Sequence, residues 1–275
     1  LVTGGASGIG EAIVRRLVAD GVQVLFTDID EAAGARMVAE MPGVARFLRA
    51  DATVETDAEQ SVAAALAAFG RLDITINNVG NFGAGDAAGI GLEDVALDAW
   101  DNTLRQCLTS CMLGMKYAAP AMLRQRSGSI INTGSVAAYR SGYGSQTYSM
   151  AKAAVVHATH CVAAELGESG IRVNSISPGF IVTGIFGKGA GLDSDAADQN
   201  TAAVADRFPR SQPIPRAGLV DDIAQAALYL AGDASSFVNG HDLVVDGGLI
   251  TGARFSAGAA ARRDLNAALH EGGQS

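Results

Sequence analysis

Tyr148 and Lys152 stand four residues apart in a stretch, 147–168, whose spacing predicts a helix, so the two side chains share one face. A phenol ordinarily titrates near ~10, too high for a base at neutral pH, and an adjacent ammonium favours the phenolate and lowers that value. A tyrosine tuned in this way can exchange a proton with a substrate oxygen. Ser135, at the end of a predicted strand over 129–133, offers a hydroxyl that can hydrogen-bond the same oxygen. Taken alone, Tyr-x-x-x-Lys reads more readily as a surface tyrosine beside a solvated lysine.

A second group opens the chain. Thr3-Gly4-Gly5-Ala6-Ser7-Gly8-Ile9-Gly10 falls between a predicted strand and a predicted helix. Glycines at such a place permit a tight turn and let backbone N–H groups and the helix N-terminus approach a pyrophosphate. Asp28 lies eighteen residues past Gly10 and ends the next predicted strand, where a carboxylate can bond both hydroxyls of an adenosine ribose. Singly, the glycines fit an ordinary turn and the acid a solvated strand end. The strand–turn–helix setting favours a dinucleotide. Asp28 would repel a 2′-phosphate, and neither the glycine turn nor Ile29 supplies an Arg or Lys to receive one, so NAD is expected over NADP.

What must hold these residues is an alternation of strands and helices. Strands are predicted at 1–2, 22–27, 44–48, 72–76, 129–133, 171–176 and 243–245, and helices at 11–19, 31–40, 55–69, 98–124, 147–168 and 221–231. Gly21 and Gly70 stop two of the helices, since glycine supplies a left-handed cap. Wholly apolar strands alternating with helices imply a parallel sheet covered on both faces, an α/β doubly wound, Rossmann-like fold. Without repeats or composition breaks, residues 1–251 read as a single domain. The tail, 252–275, has a brief helical period at Leu265 and Leu269, and either docks on a neighbouring subunit or frays. The longest irregular insert, 183–218, follows a parallel strand, where long loops usually belong to function.

Composition narrows the classes. A hydrophobic content of 48% over 275 residues supports a large core and excludes disorder. A net charge of −9 with no basic block argues against a nucleic-acid or anionic-membrane partner. No apolar run approaches the length of a membrane span. Three cysteines without a C-x-x-C pair give neither a disulfide framework nor a zinc site, and suit a reducing, cytoplasmic compartment. Opening at Leu1, inside a strand, the sequence leads us to expect a segment before it.

The motifs converge in order: the glycine turn, Asp51-Ala52, Asn77-Asn78-Val79-Gly80, Ser135, Tyr148-x-x-x-Lys152, Pro178-Gly179 and Asp246-Gly247-Gly248. Over residues 1–249 the chain resembles the short-chain dehydrogenase/reductases. The resemblance implies that Gly4, Ser7, Gly8, Ile9 and Gly10 cradle the cofactor phosphates, that Asp51 and Ala52 meet the adenine, and that Asn78 and Gly80 line the sheet edge beside the adenosine ribose. It implies Tyr148 as acid/base, Ser135 as the group orienting the substrate oxygen, and Lys152 holding the nicotinamide ribose and tuning Tyr148. Ile181 and Thr183, after Pro178 and Gly179, would contact the carboxamide. A homo-oligomer, a tetramer, would form through the helices at 98–124 and 147–168.

The expected reaction is hydride transfer between NAD and a secondary alcohol or ketone, with a cyclic apolar alcohol of terpenoid, dihydrodiol or hydroxysteroid type as substrate. Competing readings are a non-catalytic dinucleotide sensor and an epimerase or dehydratase on the same scaffold. Two residues depart from the family pattern. Val79 replaces an alanine, and Cys107 stands where the family carries a relay asparagine, Trp100 and Lys116 fixing the register. Cys107 and Cys111 share a helical face and read as buried small residues. His157 and His160, three apart, read as helix packing rather than a metal pair. Phe82, Tyr143, Phe180, Ile185 and Phe186 flank the motifs, and form either an apolar pocket or ordinary core.

Overall fold

The computed structural model describes residues 1–81, 90–185, 187, 192, 196–197, 201–207 and 212–272. Among them a parallel sheet of seven strands runs in the order β3-β2-β1-β4-β5-β6-β7. These strands are β1 (Val2–Thr3), β2 (Val24–Asp28), β3 (Ala45–Arg49), β4 (Ile74–Asn77), β5 (Gly128–Thr133), β6 (Ile171–Pro178) and β7 (Asp242–Val245). Strand side chains alternate between two cores. Phe26, Ile131 and Ile176 join one with Ile13, Leu17, Met37 and Ile223; Leu25, Ile130 and Val173 join the other with Val62, Met115, Met122 and Val155. Burial on both faces explains why the strands lack polar alternation.

Helices α1 (Gly8–Ala19), α2 (Glu31–Glu40), α3 (Glu55–Phe69), α4 (Leu97–Leu104), α5 (Ser110–Gln125) and α6 (Gln146–Leu166) connect the first six strands. Gly70 caps α3 at φ 76°, and Gly21, just past α1, has φ 84°, the left-handed conformations expected of both. The single long helix expected at 98–124 contains one wide turn, Arg105–Thr109, where the Ser110 amide reaches back five residues to Arg105. Cys107 occupies that turn. Hydrophobic periodicity could not reveal it, because a π-type turn only shifts the phase of the apolar face.

The sheet order reverses at β1, and the crevice beyond its carboxyl end is where such sheets bind ligands. Later come α7 (Thr201–Arg207), inside the stretch expected to be irregular, and α8 (Val220–Ala231). The tail forms a full helix, α9 (Phe255–Gly272), along which Phe255, Leu265 and Leu269 are exposed. At its base Arg254 Nε donates to the Gln212 carbonyl at 3.0 Å.

Candidate active site

β1 delivers the chain into the glycine turn. Gly4 and Gly8 adopt φ of 63° and 54°, which side-chain-bearing residues rarely hold. Asn78, just past β4, fastens the turn: its Nδ2 donates to the Gly4 carbonyl at 3.2 Å and its amide to Thr3 Oγ1 at 3.1 Å. Asp28 fastens the other side, its carboxylate accepting from the Ala6 amide at 3.0 Å and the Asp30 amide at 3.1 Å. Each oxygen keeps a lone pair for a further donor. Asp51 Oδ1 accepts from the Thr53 amide at 2.9 Å, which sets the loop after β3.

Across the crevice, Lys152 is buried on α6 with Nζ 2.7 Å from the Thr133 carbonyl and 5.6 Å from the centre of the Tyr148 ring. The Ser135 hydroxyl hydrogen-bonds the Tyr148 phenol. Ser135 lies two residues beyond β5, where its Oγ also accepts from the Ala137 amide at 3.1 Å. Gly80 is required by close approach, since a β carbon there would stand 2.7 Å from Lys152 Nζ. Cys107 Sγ donates to the Asn81 carbonyl at 3.3 Å.

One cavity of about 510 Å³ joins these parts. Gly4, Ser7, Gly8, Ile9, Asp28, Asp51, Ala52, Asn78, Gly80, Ser135, Tyr148, Lys152, Pro178, Gly179, Ile181 and Thr183 all line it. Gly10 does not. It is buried behind the turn, where a β carbon would meet the Gly4 carbonyl at 1.9 Å, so its contribution is the close packing of α1. Thr183 closes over the opposite wall, its Cγ2 3.7 Å from where a Gly8 β carbon would be.

Tyr143, Phe180 and Ile185 line the same cavity, with the rings of Tyr143 and Phe180 edge-to-face at 5.5 Å. Phe82 and Phe186 lie outside the described residues. Asn102, Arg105 and Gln106 also line the cavity and were missed in the sequence. Their signal was the i, i+3, i+4 spacing of polar residues in the five positions before Cys107. His157 and His160 are exposed on α6, their rings 6.1 Å apart, rather than packed between helices. Among the described residues no three His, Cys, Asp or Glu side chains gather as a metal site.

Burial pushes the Tyr148 phenol above its ordinary range; the Lys152 ammonium and Ser135 pull it down without reversing the shift. The lowered phenol expected from sequence is thus overturned in the protein alone, because desolvation outweighs the ammonium. Burial opposes the Lys152 charge too, yet attraction to Tyr148, aided by Cys107 and Cys111, leaves its pKa raised. At neutral pH the pair stands as an ammonium beside a neutral phenol. Burial pushes the Cys111 thiol up to about 12, against the pull of Lys152, so it stays protonated.

The residues present fit a dinucleotide. The glycine turn opens a cradle that β carbons would strain, Gly8 and Ile9 bring the first turn of α1 to its wall, and the Asp28 carboxylate lines the same cavity. In known proteins, a family profile described as enoyl-(acyl carrier protein) reductase matches residues 4–250. A 2,5-dichloro-2,5-cyclohexadiene-1,4-diol dehydrogenase of Sphingobium indicum is 40% identical over 249 residues, covering 90% of this chain and 95% of its own. A 3-alpha-(or 20-beta)-hydroxysteroid dehydrogenase of Mycobacterium bovis is 34% identical, covering 92% and 89%. Among solved structures, an oxidoreductase of the short chain dehydrogenase/reductase family from Burkholderia thailandensis superposes with a TM-score of 0.80 at 31% identity, covering 94% of this chain and 95% of that one.

Proposed function

The chain belongs to the short-chain dehydrogenase/reductase family, and on that premise we infer that it oxidises a cyclic secondary alcohol, or reduces the matching ketone, with NAD. The observation that carries this reading is the meeting of Ser135, Tyr148 and Lys152 in one cavity with the glycine turn and Asp28. When bound, the nicotinamide supplies the hydride acceptor or donor.

The chain's own residues supply the rest. Gly4, Ser7, Gly8 and Ile9 would hold the phosphates through backbone N–H groups, and Asp28 the adenosine ribose. Asp51, Ala52, Asn78 and Gly80 would flank the adenosine. Pro178, Gly179, Ile181 and Thr183 would flank the nicotinamide. Lys152, fixed on the Thr133 carbonyl, would hold the nicotinamide ribose. Tyr148 passes the proton at its phenol oxygen, and Ser135 orients the substrate oxygen against it. Tyr143, Phe180 and Ile185 give an apolar, partly aromatic wall that suits a ring. The relatives act, by name, on a cyclohexadienediol and on hydroxysteroids, which supports a cyclic substrate.

NAD is favoured because the Asp28 carboxylate would meet a 2′-phosphate with like charge. A homotetramer is favoured because α5 and α6 leave Met112, Leu123 and Met150 exposed. Residues 1–251 form the catalytic domain on this reading, and the protein works in the cytoplasm. Cofactor choice is tested by kcat/KM for NAD and NADP with one alcohol. A clear excess for NAD, relaxed in Asp28→Ser, is expected; equal or better use of NADP would overturn it.

A further inference from the structure

Ser135 is carried by a turn, residues 134–139, that leaves the end of β5. Its near end is tied to the sheet, with the Gly134 amide 2.7 Å from the Ile176 carbonyl. Val136 and Ala137 are buried, but residues 139–142 are exposed, so apolar packing stops at the far end. There the Tyr139 hydroxyl donates to Asp242 Oδ2 at 2.7 Å, 103 residues along the chain. Asp242 begins β7, and its other oxygen accepts from Ser175 Oγ, its register partner on β6. The same carboxylate stands behind the near end, since a β carbon on Gly134 would lie 3.4 Å from Oδ1. One sheet-anchored carboxylate therefore bonds the far end of the turn and lies close behind its near end.

We propose that Tyr139 and Asp242 are positioning residues for the reaction: their hydrogen bond fixes the Ser135 turn and so sets where the Ser135 hydroxyl meets the Tyr148 phenol. This rests on the roles given to Ser135 and Tyr148 above. A hydroxyl bound to a carboxylate is among the stronger hydrogen bonds, and this one spans two elements that nothing in the local sequence couples. Burial and Asp242 raise the Tyr139 phenol, so it remains a donor at any working pH. Among the described residues, Lys152, Cys107 and Ser135 act on the Tyr148 phenol, and of these Ser135 is the one the turn would move.

The test compares Tyr139→Phe, Asp242→Ala and Asp242→Asn with the unsubstituted chain, each first checked by thermal melting and by NADH binding. Tyr139→Phe is expected to lower kcat about three- to tenfold while KM and NADH affinity change little. Its pH profile for oxidation should move to higher pH, because a Ser135 hydrogen bond lowers the Tyr148 phenol. Asp242→Asn, whose amide oxygen still accepts from Tyr139, should lose less than Asp242→Ala. The Tyr148 titration is also read directly by NMR of ring-labelled tyrosine, with Tyr148→Phe assigning the signal. That readout needs no turnover, so an inactive chain would count against the proposed function and leave this inference to be judged on the titration. A folded Tyr139→Phe chain with kcat within about twofold and an unmoved Tyr148 titration would overturn it. Equal losses in Asp242→Asn and Asp242→Ala would do the same.

Discussion

The Lys152 ammonium lies 5.6 Å from the centre of the Tyr148 ring, one turn further along α6, and 2.7 Å from the main-chain oxygen of Thr133. The lysine is thereby held by the end of β5, the strand that also leads to Ser135. Helix α6 and the end of β5 together hold the ammonium beside the phenol. Burial keeps that phenol protonated, and the ammonium keeps the phenolate within reach.

The rate should follow this balance with pH. Oxidation of the alcohol needs the deprotonated phenol, and the phenol is raised, so kcat/KM for oxidation climbs as pH rises above neutrality. Ketone reduction needs the protonated form and falls over the same range. Opposed profiles from initial rates in the two directions are expected. Profiles flat in both directions would remove Tyr148 from proton transfer.

Two glycines should separate function from stability. Gly80→Ala places a β carbon 2.7 Å from Lys152 Nζ, the tip of a flexible side chain. The backbone need not move, but the buried ammonium should shift off the Thr133 carbonyl, and kcat should fall about tenfold with a smaller loss of stability than at Gly10. Gly10→Ala meets the Gly4 backbone carbonyl at 1.9 Å, which cannot swing aside. Its expected cost is about 1–3 kcal/mol of stability, read by denaturant unfolding.

The motifs were legible because they are local. The glycine turn, Asp28 and the Tyr148–Lys152 spacing each fit within one or two elements, and strand apolarity gave the parallel sheet. Tyr139 and Asp242 meet across 103 positions, and no spacing announces them. The phenol of Tyr148 misled for a related reason. Its lysine neighbour is visible in sequence, whereas the burial that outweighs it depends on how β5, α4 and α6 pack. The wide turn at Arg105–Thr109 and the full length of α9 were hidden because periodicity reports faces, not turn width or helix length.

Cys107 is expected to be dispensable as a thiol. It is buried and bonded to the Asn81 carbonyl, so thiol reagents should inactivate only slowly. Cys107→Ser keeps a donor at that place and should change kcat by less than about tenfold. Cys107→Asn should be tolerated. A folded, NAD-binding Cys107→Ser chain that loses more than about a thousandfold would assign the sulfur a catalytic task.

Light scattering at micromolar concentration should report a tetramer, with the exposed Met112, Leu123 and Met150 of α5 and α6 at its interfaces. Polar substitution at Met112 and Met150 together should shift the mass downward. A monomer for the unsubstituted chain would contradict the assembly.

The most direct measurement is the appearance of reduced nicotinamide absorbance when the protein meets NAD and a panel of cyclic secondary alcohols. Net NADH formation matched by ketone is expected, lost by at least about a hundredfold in Tyr148→Phe while that variant still binds NADH. Tight NAD binding without turnover of any alcohol, turnover without net cofactor reduction, or a Tyr148→Phe chain as active as the original would contradict it.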